Sequence, residues 1–338
     1  MQQRPPKPPM PYDIITLGEA LIDLPATQSG VSLADAPGFA KVPAGAPVNV
    51  AAAAAALGLQ AAFVSKVGDD PFGASIKQTF SALGVDMSHV ISDKSARTGL
   101  AFVSVMPDGS RDFLFYFDPA RDLALRPDEL DADWLGSARV LHYGSISLIA
   151  EPSRTATLEA ARLARAGGAI CSYDPNLRPW LWPDTEAMRS GVRLGFANAD
   201  IVKISAEELL FLYPNALDEA SAISSLLGDF ECPRLVAVTD GALGCRGYTR
   251  AGDFAESPGF QVKFVDATGA GDSFMAGLLA FLLRQGPDLN ATLSQIGPVL
   301  PDALRYANAC GALATTHLGA APAALTLSAV QALLGETQ

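Results

Sequence analysis

The chain has 338 residues, 49% of them hydrophobic and 18% charged, enough apolar material for one large α/β domain with a smaller appendage. A formal net charge of −12 argues against a nucleic acid or an anionic membrane as partner, because phosphates would be repelled. Cys171, Cys232, Cys245 and Cys310 lie far apart with no C-x-x-C pair, and His89, His142 and His317 lack metal-ligand spacing. The cysteines read as small buried residues in a reducing compartment and the histidines as structural or surface residues, so the expected location is the cytoplasm.

Residues 1–11 are proline-rich and lack an apolar core, which excludes a signal peptide and predicts a disordered tail. From residue 12 to 338, short β-branched runs alternate with helical patterns, the mark of parallel βαβ units. Strands are expected at 14–18, 62–67, 140–144, 169–173, 201–204 and 235–239. Helices are expected at 48–57, 71–83, 153–166, 185–198 and 206–213. Pro71 and Pro152 fit first turns, and Gly58, Gly84 and Gly167 fit helix ends. The alanine run 51–56 is too short to span a membrane. Two stretches break the alternation. Residues 24–42 are turn-rich, and 97–117 read as two strands around Pro107-Asp-Gly-Ser, a hairpin signal. Together they predict a small sheet apart from the main one.

Polar residues gather just after the expected strands, where ligands bind in open parallel sheets. Asp23, in GEALID (18–23), is placed to accept hydrogen bonds from adjacent hydroxyls of a polyol, the plain alternative being a solvent-facing loop. KVGDDPFG (66–73) reads as a tight strand-to-helix turn, with Lys66 directed to the same rim. In DPNLR (174–178) the first three residues alone form a turn, while the planar fork of Arg178 suits an oxyanion. KISAEE (203–208) permits a capping box between Ser205 and Glu208. The nonapeptide DATGAGDSF (266–274) is the most informative. Gly269 and Gly271 flank Ala270 where a loop becomes a helix, and small residues let an anion approach the free amides there. A carboxylate at Asp272 is awkward beside a phosphate unless it takes a proton from an attacking hydroxyl. No Walker-type loop occurs.

DATGAGDSF resembles the C-terminal signature of the ribokinase/PfkB family of sugar kinases, and the resemblance extends over nearly the whole chain. It implies a ribokinase-like α/β fold: a central, mostly parallel sheet flanked by helices, with a small β-sheet lid from about 24–42 and 97–117. It also implies ATP as donor, a sugar as acceptor, Asp272 as base, and an anion hole from the amides of Gly269, Ala270 and Gly271, with Arg178 on the transferred phosphoryl group. AGAPVN (44–49) is similar to the family's Gly-Gly-x-x-x-Asn sugar stretch, with Ala44 in place of the first glycine. Asp23, Gly45, Asn49, Asp174, Asn176 and Asp266 are then the implied sugar contacts. Lys203, Ser205, Thr239, Gly241, Gly244 and Asn308 are implied on the nucleotide side. Glu208 is implied to order Mg2+ through water, and Asp266 and Thr268, with backbone near 318–320, to hold K+. The family's lids often also form dimer surfaces, so a homodimer through the lid is expected.

DPNLR resembles the form found in fructokinases and 2-keto-3-deoxygluconate kinases. The family's lid stretch Tyr-Arg-Asn-Pro is Tyr116-Phe-Asp-Pro119 here. Loss of that arginine leaves fewer cations for a substrate carboxylate, which favours fructose over 2-keto-3-deoxygluconate. The alternative of another class is a catalytically silent nucleotide-binding regulatory subunit, but such a subunit has no need of Asp272 and Arg178.

Overall fold

The computed structural model describes residues 11–106, 111–319 and 325–335. Most of the proline-rich segment, the Pro107-Asp-Gly-Ser turn and residues 320–324 and 336–338 therefore lie outside the described residues. In chain order the first strands are β1 (Tyr12–Leu17), β2 (Leu21–Pro25), β3 (Val42–Ala44), β4 (Ala61–Gly68), β5 (Val85–Asp86), β6 (Val90–Asp93) and β7 (Gly99–Val105). They are followed by β8 (Arg111–Tyr116), β9 (Ala138–Gly144), β10 (Ile170–Asp174), β11 (Ile201–Ser205), β12 (Leu235–Thr239), β13 (Gly244–Thr249) and β14 (Phe254–Pro258).

The large sheet runs β14-β13-β12-β11-β10-β9-β1-β4-β5, with β6 also paired to β4. It is parallel except for β13 and β14, which add an antiparallel edge. Strands covered on both faces need apolar side chains on both, and β4 and β10 are buried at every position. Register divides the core. Ile14, Val140 and Ile170 align across the sheet and face one layer, while Ile15, Leu141 and Cys171 align one residue on and face the other. The first layer holds helices Ala46–Ala56, Ala270–Arg284 and Leu300–Ala314; the second holds Ser153–Gly167, Thr185–Ala197 and Glu219–Asp229.

The small sheet has order β3-β2-β7-β8. It starts earlier than the sequence suggests, at Leu21, and most of residues 26–41 form connecting loop rather than strand. β8 alternates: Leu114 and Tyr116 are exposed, while Phe113 and Phe115 turn inward toward the mouth of a cavity. Asp70 joins the two sheets. It caps helix Pro71–Ala82 through the amides of Phe72 and Gly73, and its other oxygen accepts from the Thr98 amide just before β7.

Two local expectations need correction. The left-handed cap of helix Ser153–Gly167 is Gly168, with φ 93°; Gly167 is still helical and packs against the Gly136 backbone. Lys66 is not directed to the rim of the cavity. It is buried, 2.7 Å from Glu129 and 3.4 Å from Asp93, so its charge is spent within the scaffold.

Candidate active site

A cavity of about 610 Å³ opens beyond the carboxyl ends of β1, β10 and β11, under the small sheet. Its floor is the start of helix Ala270–Arg284. Gly269 precedes that helix with φ 78°, a left-handed conformation that glycine adopts without Cβ strain. Gly271 is small for another reason: a methyl there would sit 2.8 Å from Lys203 Nζ. Gly269 and Gly271 border the cavity, and the first-turn amides of this helix have no intrahelical acceptor.

Asp272 lies in that first turn and is 7% exposed. Asn49 Nδ2 donates to its Oδ2 at 2.9 Å. Burial pushes the carboxyl up to about 6, with Asp174 adding to the effect; the Asn49 bond and the charges of Lys203 and Arg178 act against it. The group is therefore a carboxylate at neutral pH with unusual affinity for a proton, as a general base requires.

Behind it, Lys203 Nζ donates to Asp174 Oδ2 at 2.9 Å, both side chains being buried. Burial disfavours the lysine charge, but Asp174, Glu208 and Asp272 outweigh it and raise its pKa. Asp174 Oδ1 accepts the Asn176 amide at 3.1 Å, closing a turn in which Asn176 takes φ 41°. Arg178 Nη1 donates to Asn176 Oδ1 at 2.7 Å and to Leu177 O at 2.9 Å, which sets the guanidinium beside the cavity. Glu208 Oε1 accepts from Leu177 N at 2.6 Å and Oε2 from Ser205 N at 3.0 Å, while Ser205 Oγ caps Glu208 N. Glu208 thus completes a capping box and ties β11 to the 174–178 turn.

At the opposite end Asp23 faces the cavity, and burial raises its carboxyl to about 6 against the pull of Arg178. Among the described residues it has no hydrogen-bond partner, so its oxygens are available to a ligand. Gly45 has φ 144° and lies against the Glu19 backbone; any Cβ would collide with the Glu19 carbonyl. Phe113 stacks on Trp180 at 5.4 Å and 20°, and Phe115 lies 6.0 Å from the same ring. This aromatic group spans from the small sheet to the loop after β10 and forms an apolar rim.

The remaining sequence-identified residues lie apart from the enclosed cavity or at its edge. Thr239 ends β12, Gly241 (φ 52°) opens a short turn, and Gly244 (φ 106°) packs tightly on the backbone of Ser257 and Gly259. Asn308 is buried, and its amide donates to Pro258 O at 2.7 Å, joining helix Leu300–Ala314 to β14. That bond accounts for the side chain as a structural tie. Asp266 Oδ1 accepts from Thr268 Oγ1 at 2.8 Å and Oδ2 from Gly319 N at 2.9 Å, folding the 315–319 segment over the glycine turn.

The pfkB family carbohydrate kinase profile matches residues 12–327. The chain belongs to the pfkB family of carbohydrate kinases. Probable fructokinase-4 of Arabidopsis thaliana is 48% identical over 322 residues, covering 95% of this chain and 96% of the relative. Fructokinase-2 of Solanum lycopersicum is 45% identical over 322 residues, with 95% of each chain covered. Among solved structures, the ATP-bound fructokinase of Xylella fastidiosa aligns with TM-score 0.87 and 36% identity, over 96% of this chain and 99% of that one. The fructokinase of Vibrio cholerae O395, with fructose, ADP and calcium ion bound, aligns with TM-score 0.81 and 34% identity, over 96% and 99%.

Among the cavity residues of this pfkB-family chain, Glu19 and Trp180 were not singled out in the sequence, and Phe113 and Phe115 were expected only as part of the lid. Glu19 sits beside Asp23 in GEALID, but one carboxylate in a loop carries no periodic signal. The alternation Phe113, Phe115 was visible as a strand face. That it meets Trp180 depends on how the small sheet folds over the large one.

Proposed function

We propose that this carbohydrate kinase transfers the γ-phosphoryl group of ATP to a hydroxyl of fructose. The observation that carries the reading is the buried Asp272 carboxylate at the start of a glycine-bordered helix, held by Asn49 and facing a cavity whose opposite end holds Asp23. Asp272 takes the proton of the attacking hydroxyl. The amides of Gly269, Ala270 and Gly271 hold charge that develops on the phosphoryl oxygens, and Arg178 shares it. Asp23, Gly45 and Asn49 orient the sugar, with Asp174, Asn176 and Asp266 fixing the surrounding turns. Lys203, Ser205, Thr239, Gly241, Gly244 and Asn308 shape the nucleotide side, Asn308 through its bond to β14.

Glu208 suits Mg2+ held through water, since each of its oxygens already accepts one backbone amide and keeps a free lone pair. Bound there, Mg2+ would neutralise phosphate charge. Asp266 and Thr268 bound a loop able to hold K+ beside the anion hole. The small sheet of β2, β3, β7 and β8 acts as a lid over the sugar, and its exposed Leu114 and Tyr116 offer an apolar face for a homodimer. Four free cysteines accord with a reducing, cytoplasmic setting. No described helix is long and apolar enough to cross a membrane.

The basic residues lining the cavity, among those described, are Arg178 and Lys203, and both are engaged by neighbouring oxygens. A substrate carboxylate would be desolvated without a dedicated cation, which disfavours 2-keto-3-deoxygluconate; the side chain of Arg121 lies outside the described residues. A coupled ADP-release assay over fructose, 2-keto-3-deoxygluconate, ribose and adenosine tests the reading. The expected kcat/KM for fructose exceeds that for the keto acid by about tenfold, roughly 1.4 kcal/mol. The reverse preference would reassign the substrate, and no ADP release with any sugar would favour a silent, nucleotide-binding role.

A further inference from the structure

Glu19 is 3% exposed and lines the cavity, yet nothing in the reaction outlined above uses it. Its Oε1 accepts the Ala46 amide at 3.0 Å; its Oε2 is buried and has no hydrogen-bond partner. The accepted amide opens helix Ala46–Ala56, and the residue before it, Gly45, has no side chain with which to cap. A helix start normally takes its cap from the preceding residue. Here the cap comes from across the fold, from the loop after β1. One helical turn on, Asn49 N bonds Gly45 O at 2.9 Å, and Asn49 Nδ2 holds Asp272. One continuous path thus runs from Glu19 through the helix start to Asn49 and the proposed base.

We infer that Glu19 is a positioning residue for the phosphoryl transfer, capping the helix that carries Asn49 so that Asn49 holds Asp272 in its reactive orientation. The inference rests on Asp272 acting as base. Glu19 lies near Asp272 and Arg178, while Asp272 also senses Asp174 and Lys203, so the whole set defines the local field. Burial raises the Glu19 carboxyl to about 7, so the cap is partly protonated at neutral pH and an amide can stand in for it. Glu19→Gln keeps an oxygen for the Ala46 amide; Glu19→Ala removes the cap.

The test compares Glu19→Ala, Glu19→Gln, Asn49→Ala and the double variant Glu19→Ala/Asn49→Ala in saturating fructose. Glu19→Ala is expected to lower kcat by about tenfold or more, the scale of a misplaced reacting group. The acid limb of its kcat–pH profile should move to higher pH, because Asp272 loses the bond that lowers its pKa. Glu19→Gln should recover most of that loss, and the double variant should be no worse than Asn49→Ala alone. Should Glu19→Ala fail to fold, Glu19→Gln still decides: a kcat as low as that of Asn49→Ala would overturn the inference. So would a Glu19→Ala enzyme with a lowered Tm but an unmoved kcat and acid limb, or fully additive losses in the double variant. Full activity of Asp272→Asn would instead remove the base, and the proposed function with it.

Discussion

The floor and the rim of this cavity are built by opposite means. On the floor, Asp272 with Asn49 and Asp174 with Lys203 are buried polar pairs, held at 2.9 Å and set on elements of the large parallel sheet and its helices. At the rim, Phe113, Phe115 and Trp180 meet through ring faces, and Trp180 is 53% exposed. Directional bonds in a dry interior hold one geometry, as an attacking oxygen and a base require. Ring contacts at an exposed rim are individually weak, about 0.5–1.5 kcal/mol each, and can separate as a closing lid requires. The difference teaches that chemistry should fail when the floor is altered, and affinity when the rim is.

The sharpest break is on the floor. Asp272→Asn is expected to lower kcat at least about 10²-fold, the usual scale for a lost general base, with the Asn49 contact still possible. The variant should also be more stable than the parent at neutral pH. The Asp272 carboxyl, ordinarily near 3.8, is raised to about 6, so the folded protein binds its proton more tightly than the unfolded chain. The stability that this supplies is complete below the ordinary value and is lost as pH rises through about 6. Thermal melts should therefore show a higher Tm for Asp272→Asn at pH 7.5 and a gap that closes toward pH 4. A variant that is both slow and less stable at pH 7.5 would point to damaged packing instead.

At the rim, Trp180→Ala removes both ring contacts, each worth about 0.5–1.5 kcal/mol. The KM for fructose should rise about tenfold, with kcat changed less. A loss confined to kcat would place Trp180 with the floor rather than the rim. The smallest effect concerns the loop between the two regions: with Asp266 and Thr268 shaping a cation site, potassium should activate more than sodium. Equal rates after replacement of potassium by a bulky organic cation would remove that site.

The strand and helix pattern was legible because each element repeats its own signal. Residues 235–239 form the strand expected, and the core strands differ from expectation only at their ends. The antiparallel edge β13–β14 was not, since Gly244 and Gly247 interrupt its apolar run and Pro258 ends it. The glycine turn, Asp272, Asn49 and Arg178 were legible as site residues because they sit in compact motifs just after strands, and the fold brings them to one cavity. Lys66 misled because a lysine in a motif near the rim says nothing of Glu129, which claims it from a distant part of the chain. Glu19 was missed for the same reason in reverse: its partner, the Ala46 amide, belongs to another element.

The central claim is that Asp272 must be ionised for turnover, in an environment that holds its carboxyl near 6. The pH profile of kcat/KM for fructose tests this most directly, because that ratio reports the ionisations of the unliganded enzyme. It is run on the parent and on Asp23→Asn, since burial also raises Asp23 to about 6. The expected result is an acid limb near pH 6 that persists in Asp23→Asn. A kcat/KM that stays level down to pH 4.5, or a limb that vanishes in Asp23→Asn, would contradict it.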